Sequence, residues 1–125
     1  MLRAIDHIVL TTRDAQACIA FYTALGCREE RFGDGRRALH FGDQKINIHH
    51  AGREIMPHAT IPAPGALDLC FLADRPLEQV MDALRQAGLS WFEGPVPRTG
   101  ATGPIRSIYL RDPDGNLIEI AEPAT

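Results

Sequence analysis

The stretch RDPDGNLIEIAEP, residues 111–123, combines an acidic turn with a short apolar strand that contains one carboxylate. Asp112-Pro113-Asp114-Gly115 predicts the turn, and residues 116–121 predict the strand. Side chains alternate between the two faces of a strand, so Glu119 shares a face with Leu117 and Ala121. An ionised carboxylate that is buried alone is too costly to keep. Glu119 therefore either faces water or has a partner, and a metal ion is one such partner.

The chain contains the same order of elements twice. The first copy covers about residues 4–50 and the second about residues 66–122, and a turn-rich linker at about 51–65 joins them. Each copy predicts one strand, one helix and three further strands. In the first copy the strand is at 5–11, the helix at 14–26 and the further strands at 27–32, 37–41 and 45–49. In the second copy the strand is at 67–72, the helix at 76–88 and the further strands at 90–93, 107–111 and 116–121. This βαβββ order, repeated, predicts one α+β domain over residues 1–125 with its helices on one side.

Superposing the two copies brings four polar residues into register. His7 and Asp68 hold matching places in the first strands, while Asn47 (in Ile-Asn-Ile) and Glu119 (in Ile-Glu-Ile) hold matching places in the last strands. Asn47, Asp68 and Glu119 stand between apolar neighbours, where polar residues are unusual, and His7 directly precedes the apolar residues Ile8, Val9 and Leu10. If both copies curve their mixed sheets around one cleft, we expect all four side chains to line it.

Composition excludes several classes of protein. The 125 residues are 45% apolar and 23% charged with a formal charge of −3, which is globular composition. No basic run is present, so neither nucleic acid nor an anionic membrane is expected as a partner. Asp6 lies where a signal peptide would need its apolar stretch, so we expect no signal peptide, and no apolar run is long enough to span a membrane. Three cysteines without a CxxC pair favour a reducing cytoplasm, and we expect Cys18, Cys27 and Cys70 to be small core residues.

These features resemble the vicinal oxygen chelate superfamily, which includes glyoxalase I, fosfomycin-resistance transferases, extradiol dioxygenases, methylmalonyl-CoA epimerase and bleomycin-binding proteins. The resemblance covers nearly the whole chain. It rests on IDHIVL at 5–10, FY at 21–22 followed by LG at 25–26, and DPDGNLIE at 112–119. The segments 41–49 and 94–101 look like the glyoxalase domain-containing protein 5 type, whose bacterial relatives are often labelled virulence proteins.

The resemblance implies a metal site. His7 matches the first-strand ligand of the superfamily and Glu119 its last-strand carboxylate ligand. Asp68 stands where the metal enzymes usually have a second histidine, and Asn47 stands where glyoxalase I usually has a glutamate. We expect His7, Asp68 and Glu119 to hold a divalent metal, and this donor set favours Mn²⁺, Mg²⁺ or Fe²⁺, with Zn²⁺ and Ni²⁺ also compatible. The alternative for Asp68 is a salt bridge to His7 in a site without metal.

Further residues are candidates for chemistry or substrate binding. His49 follows Asn47 by two residues and points to the same face, so it is a candidate ligand, base or substrate contact, with Glu119 as the second catalytic group. The alternative for His49 is a polar residue on an edge strand. The glycine-rich segment 98–104 predicts a lid or anion anchor, or else an ordinary hairpin loop. The predicted substrate-binding residues are therefore Arg98, Thr99, Arg106 and Asn47.

Three functions follow from the resemblance. The first is a metal-dependent glyoxalase-like lyase, isomerase or transferase that acts on a small carbonyl, hydroxy-acid or epoxide substrate through chelation of two oxygens. The second is a metal-free protein that binds and sequesters a small molecule, as bleomycin-resistance members do. The third is a ring-cleaving dioxygenase, which the missing second histidine disfavours. Relatives of this size usually form homodimers, and in some of them both chains build the site, so we expect a homodimer.

Overall fold

A computed structural model describes residues 1–124, and within them ten elements follow the predicted order. They are β1 (His7–Thr12), α1 (Ala15–Ala24), β2 (Arg28–Phe32), β3 (Arg36–Phe41), β4 (Gln44–His50), β5 (Asp68–Leu72), α2 (Leu77–Gln86), β6 (Glu93–Thr99), β7 (Pro104–Arg111) and β8 (Leu117–Pro123). The repeated βαβββ order and the α+β class are confirmed. Neither helix in this part of the chain is long and apolar enough to cross a membrane.

The described residues form two units. Unit 1 comprises Met1–Leu67 and Pro113–Gly115, and its four strands have the order β1-β4-β3-β2 with β1 parallel to β4. Helix α1 begins after Asp14, whose carboxylate caps the helix by accepting a hydrogen bond from the N–H of Ala17 at 3.1 Å. The apolar side of α1 and one face of the sheet supply the core, which includes Leu10, Cys18, Ile19, Tyr22, Leu39 and Ile46.

Unit 2 comprises Asp68–Asp112 and the chain from Asn116 onwards, and it repeats this topology in the order β5-β8-β7-β6. Leu77, Met81 and Leu84 are the buried residues of α2, and the sheet contributes Ile108, Leu110, Ile118 and Ile120 to the core. The N-cap residue of α2, Pro76, makes no side-chain hydrogen bond to the helix. Instead, the Glu122 carboxylate on β8 accepts a hydrogen bond from the N–H of Leu77 at 2.8 Å, which satisfies one free donor of the helix N-terminus.

The acidic turn before β8 uses its two carboxylates structurally. In unit 2, Asp112 accepts hydrogen bonds from the backbone N–H and the side-chain amide of Asn116, at 3.0 and 2.7 Å. In unit 1, Asp114 accepts hydrogen bonds from the Thr12 hydroxyl and from the N–H of Arg13, at 2.5 and 3.0 Å. These bonds explain why the turn carries two acids.

The strand register confirms the predicted equivalence of the two copies. Asn47 on β4 lies opposite Val9 on β1, and Glu119 on β8 lies opposite Cys70 on β5. His7 lies two residues before Val9 on β1, and Asp68 lies two residues before Cys70 on β5. His7 and Asp68 therefore occupy the same place in their respective sheets.

One predicted element is displaced. The strand expected at 90–93 is β6, which runs from Glu93 to Thr99 and includes Pro95 and Pro97. Proline cannot donate a ladder hydrogen bond, which argues against a central strand, but β6 is an edge strand where this is tolerated. Arg98 and Thr99 consequently belong to a strand rather than to the predicted loop, and only residues 100–103 connect β6 to β7.

Candidate functional site

Glu119 lies on the face of the unit 2 sheet that is turned away from α2. Its strand neighbours Ile118 and Ile120 point to the helix side and are buried, so alternation places Glu119 on the other face. Ser107 on β7 is fully buried and donates its hydroxyl hydrogen to Oε2 of Glu119 at 2.5 Å. This bond holds one carboxylate oxygen in place, and the Cys70 thiol also hydrogen-bonds the Glu119 carboxylate.

A pocket of about 640 Å³ opens on this face of unit 2. Its walls include Cys70, Glu119, Tyr109 and the β6–β7 hairpin from Arg98 to Pro104. This volume lies within the range of small-molecule sites in proteins. Two of the predicted substrate-binding residues, Arg98 and Thr99, line the pocket.

The Arg98 guanidinium is held by three hydrogen bonds. It donates to the hydroxyl oxygen of Tyr109 at 2.9 Å, to Glu93 at 2.8 Å and to the carbonyl of Pro97 at 2.9 Å. Its Cζ also lies 5.4 Å from the centre of the Tyr109 ring. Because the Tyr109 oxygen already accepts a hydrogen bond from Arg98, its own hydroxyl hydrogen is free to point into the pocket.

The structure places Arg106 away from this pocket. Its guanidinium pairs with Glu78 of α2 at 2.7 Å and with Glu122 at 3.0 Å. Position 106 alternates with Ser107, so its side chain emerges on the helix side of β7, opposite Glu119. Arg106 therefore connects α2 to the sheet and is not part of the candidate site.

Cys70 is a pocket residue that sequence reasoning missed. The expectation of a buried core thiol is correct for Cys18 but wrong for Cys70, which is exposed on β5 beside Glu119. Partial burial, and then the negative charge of Glu119, raise the pKa of the Cys70 thiol to about 11. The thiol is therefore protonated at neutral pH. Cys70 lies beside Glu119 because β5 pairs in parallel with β8, and no pattern in the sequence reveals this pairing.

In unit 1, His7 already has the outer contact that a metal-binding histidine needs. Its Nδ1 lies 2.9 Å from the Asp6 carboxylate, and its side chain is 45% exposed. With Nδ1 engaged, Nε2 is the nitrogen left for a ligand. Carboxylate contacts of this kind orient histidine ligands in metal proteins.

Asn47 and His49 are buried on the same face of β4, at 6% and 5% exposure. Within residues 1–124, Oδ1 of Asn47 and Nδ1 of His49 have no hydrogen-bond partner. Burial, followed by the charges of Arg36 and His58, lowers the pKa of His49, which keeps its imidazole neutral at pH 7. The edge-strand explanation for His49 is wrong, because β4 lies between β1 and β3.

The donor types fit a divalent metal, although no group of three or more His, Cys, Asp or Glu side chains in the described part of the chain is arranged to hold one. His7 offers an imidazole nitrogen with a carboxylate behind it, and Glu119 offers a carboxylate oriented by a serine. Asp68 is exposed at the start of β5. Asn47 offers an unpaired amide oxygen, which hard cations also accept.

Comparison with known proteins identifies a family and close relatives. The model of the glyoxalase/bleomycin resistance protein/dioxygenase superfamily matches residues 4–120. The virulence protein STM3117 of Salmonella typhimurium is 53% identical over 119 residues, which cover 94% of this chain and 83% of that protein. The glyoxalase domain-containing protein RDO1 of Mycosarcoma maydis is 50% identical over 120 residues, covering 96% of this chain and 68% of that protein.

Solved structures agree with this result. The crystal structure of STM3117 superposes with a TM-score of 0.96 at 50% identity and covers 99% of both chains. A lactoylglutathione lyase from Agrobacterium tumefaciens superposes with a TM-score of 0.73 at 22% identity, covering 98% of this chain and 95% of that one. The second likeness concerns the fold only.

Proposed function

The chain belongs to the glyoxalase/bleomycin resistance protein/dioxygenase superfamily, and from this premise we propose that it is a metal-dependent glyoxalase-like enzyme. Its metal ligands are His7, Asp68 and Glu119. The observation that carries the proposal is that two of these residues have hydrogen-bond partners behind them, the exposed Asp6 at His7 and the buried Ser107 at Glu119. Metal ligands need such partners, whereas a solvated surface histidine or glutamate does not.

The proposed reaction acts on a small oxygenated substrate, as a lyase, isomerase or transferase. A bound Mn²⁺, Mg²⁺, Fe²⁺, Zn²⁺ or Ni²⁺ supplies Lewis acidity toward two substrate oxygens. His49, which burial keeps neutral, is available to accept a proton from the substrate. Glu119 is the second catalytic group, and the Tyr109 hydroxyl, held by Arg98, donates a hydrogen bond to a substrate oxygen in the pocket.

The proposal includes a homodimer in which a second copy of the chain completes the site. Val9 and Leu72 are 41% and 66% exposed, on the strand faces that carry Asn47 and Glu119. Apolar side chains exposed beside a polar site are typical of surfaces that a partner covers. Sedimentation at micromolar concentration should give the mass of two chains, and a strictly monomeric protein would contradict this.

A cytoplasmic location is also proposed, to be tested by cell fractionation.

Metal content tests the proposed function directly. Wild type, Glu119→Gln and Glu122→Gln are loaded with the five metals, desalted and analysed by elemental mass spectrometry. Glu122→Gln is the matched control because it lies on the same strand but on the helix face. We expect about one metal per chain in wild type and in the control, and none in Glu119→Gln, since a neutral amide replaces the carboxylate ligand. Wild type that stays metal-free after loading would refute the proposal.

A metal-free binding protein is the second candidate. It is favoured by the formed pocket of about 640 Å³ and by the two departures from the usual ligand pattern, Asp68 and Asn47. This function predicts that small molecules bind the pocket with the same affinity before and after treatment with a chelator. The enzyme predicts that the chelator weakens binding, so one titration separates the two candidates.

A further inference from the structure

Two cationic side chains contact one aromatic ring in unit 1. Cζ of Arg36 lies 4.8 Å and Nζ of Lys45 lies 4.5 Å from the centre of the Phe32 ring. Neither side chain forms an ion pair with a carboxylate of residues 1–124. A ring face attracts a cation but does not neutralise its charge. Both cations are therefore available to an anionic ligand.

The acidic groups that interact with Lys45 have other partners. Lys45 contributes to lowering the pKa of Asp6 and of Glu30, but in both cases hydrogen bonding to a histidine is the larger cause. Asp6 contacts His7 and Glu30 contacts His40, each at 2.9 Å. The positive charge of Lys45 is therefore not neutralised by a direct contact and remains available to a ligand.

The cation pair adjoins the buried polar atoms of β4. Lys45, Asn47 and His49 alternate along this strand and so point to one face. Arg36 is close enough to His49 to help lower the pKa of its imidazole. Oδ1 of Asn47 and Nδ1 of His49 are buried without hydrogen-bond partners, and buried polar atoms of this kind normally have one. An amide oxygen accepts hydrogen bonds only, so the group that satisfies Asn47 is a donor such as a hydroxyl.

We propose that this face of unit 1 binds a small hydroxy acid, with the carboxylate paired with the cations that contact Phe32, Arg36 and Lys45, and the hydroxyl donating to Oδ1 of Asn47. The inference deepens the proposed function by naming a substrate class; that the bound hydroxy acid is a substrate rests on the proposed function, whereas its binding to unit 1 does not. The negative charge of the ligand follows from the cations of Arg36 and Lys45, which have no carboxylate partner. The hydroxyl of the ligand follows from Oδ1 of Asn47, which has no hydrogen-bond donor. A neutral carbonyl or epoxide would leave the cations without a counter-charge.

Three probes separate the two recognition elements. Lactate carries both the carboxylate and the hydroxyl, propionate lacks the hydroxyl, and lactamide lacks the charge. Each is titrated into metal-free wild type, Arg36→Gln and Lys45→Gln, and the side-chain nitrogen signals of Asn47 and His49 are followed by NMR. Arg31→Gln is the matched control, because Arg31 alternates with Phe32 and so projects from the other face of β2.

We expect lactate to bind most tightly and to shift both nitrogen signals. Each cation removed should weaken lactate binding by about tenfold or more, because a hydrogen bond to a charged group is lost. Propionate should bind several-fold more weakly, lactamide should not bind, and Arg31→Gln should match wild type. Equal lactate affinity in wild type, Arg36→Gln and Lys45→Gln would overturn the inference, as would lactamide binding as well as lactate.

Metal content measured on the same samples keeps the two proposals separate. If lactate binds as expected while wild type cannot be loaded with metal, the proposed metal-dependent enzyme is refuted and the proposed hydroxy-acid site is supported. If wild type takes up metal but lactate binding does not depend on Arg36 or Lys45, the metal enzyme stands and the hydroxy-acid site fails. Inorganic phosphate serves as a fourth probe, and tighter binding of phosphate than of lactate would overturn the assignment to a carboxylate.

Discussion

Ser107→Ala is the sharpest test of the role assigned to Glu119. Ser107 is fully buried, and its hydroxyl donates to Oε2 of Glu119 at 2.5 Å. The substitution removes one oxygen atom and leaves the backbone of β7 and the pocket walls unchanged. If Glu119 binds a metal, losing this bond lets the carboxylate rotate, and metal binding must then fix it again.

The size of the effect follows from two independent considerations. A hydrogen bond to a charged group contributes about 1.5–3 kcal/mol. Loss of an outer partner of a metal ligand typically reduces metal affinity by about 10–100-fold, which corresponds to about 1.4–2.7 kcal/mol. The two ranges overlap. We therefore expect the metal Kd of Ser107→Ala to rise by about 10–100-fold over that of wild type.

Competition against a chromophoric chelator measures this change. Ser90→Ala is the control, because Ser90 is exposed and lies outside the strands of unit 2. Asp6→Asn should give a smaller loss, since Asp6 is largely exposed and water can replace its contact with His7. An unchanged Kd in Ser107→Ala would refute the reasoning, because Glu119 would then not depend on its orientation. Equal losses in both serine variants would show an effect of general stability instead.

Three further outcomes are expected. Asp114→Ala should lower the free energy of unfolding by about 2–4 kcal/mol in urea titrations, because Thr12 and a backbone N–H lose a buried acceptor; a loss below about 1 kcal/mol would contradict the structural role of the turn. The lowered pKa of His49 means that the unfolded chain takes up a proton as the pH falls through 6.5 while the native state resists it. Wild type should therefore lose stability more steeply from pH 7 to pH 5 than His49→Gln, and parallel profiles would contradict this. Arg106→Gln should leave ligand affinity unchanged and alter stability little, because its ion pairs with Glu122 and α2 lie near the surface; weakened ligand binding would restore the predicted role in the site.

Local signals in the sequence predicted what depends on neighbours along the chain. The start of the first helix near residue 14 and the alternation that turns Glu119 away from Ile118 and Ile120 both follow from spacing alone. The sequence could not place Cys70 and Ser107 beside Glu119, because that requires knowing which strands pair and in which register. Arg106 was predicted at the site for the same reason, since a shift of one residue moves a side chain to the other face. Strand pairing, not residue type, decided these cases.

The two copies differ in what surrounds the same register position, and this difference assigns them different roles. Asn47 lies between Val9 and Ala38, which offer no hydrogen bond, whereas Glu119 lies between Cys70 and Tyr109 and also accepts from a buried serine. A carboxylate at position 47 would be buried between two apolar strand neighbours, and a neutral amide costs less to bury there. In the proposed metal site, an amide at that position leaves three charged or imidazole ligands instead of four, and a catalytic metal needs open positions for its substrate. In the same proposal Asn47 is a neutral acceptor for the substrate, while Asp68 and Glu119 supply the negative charge for the metal.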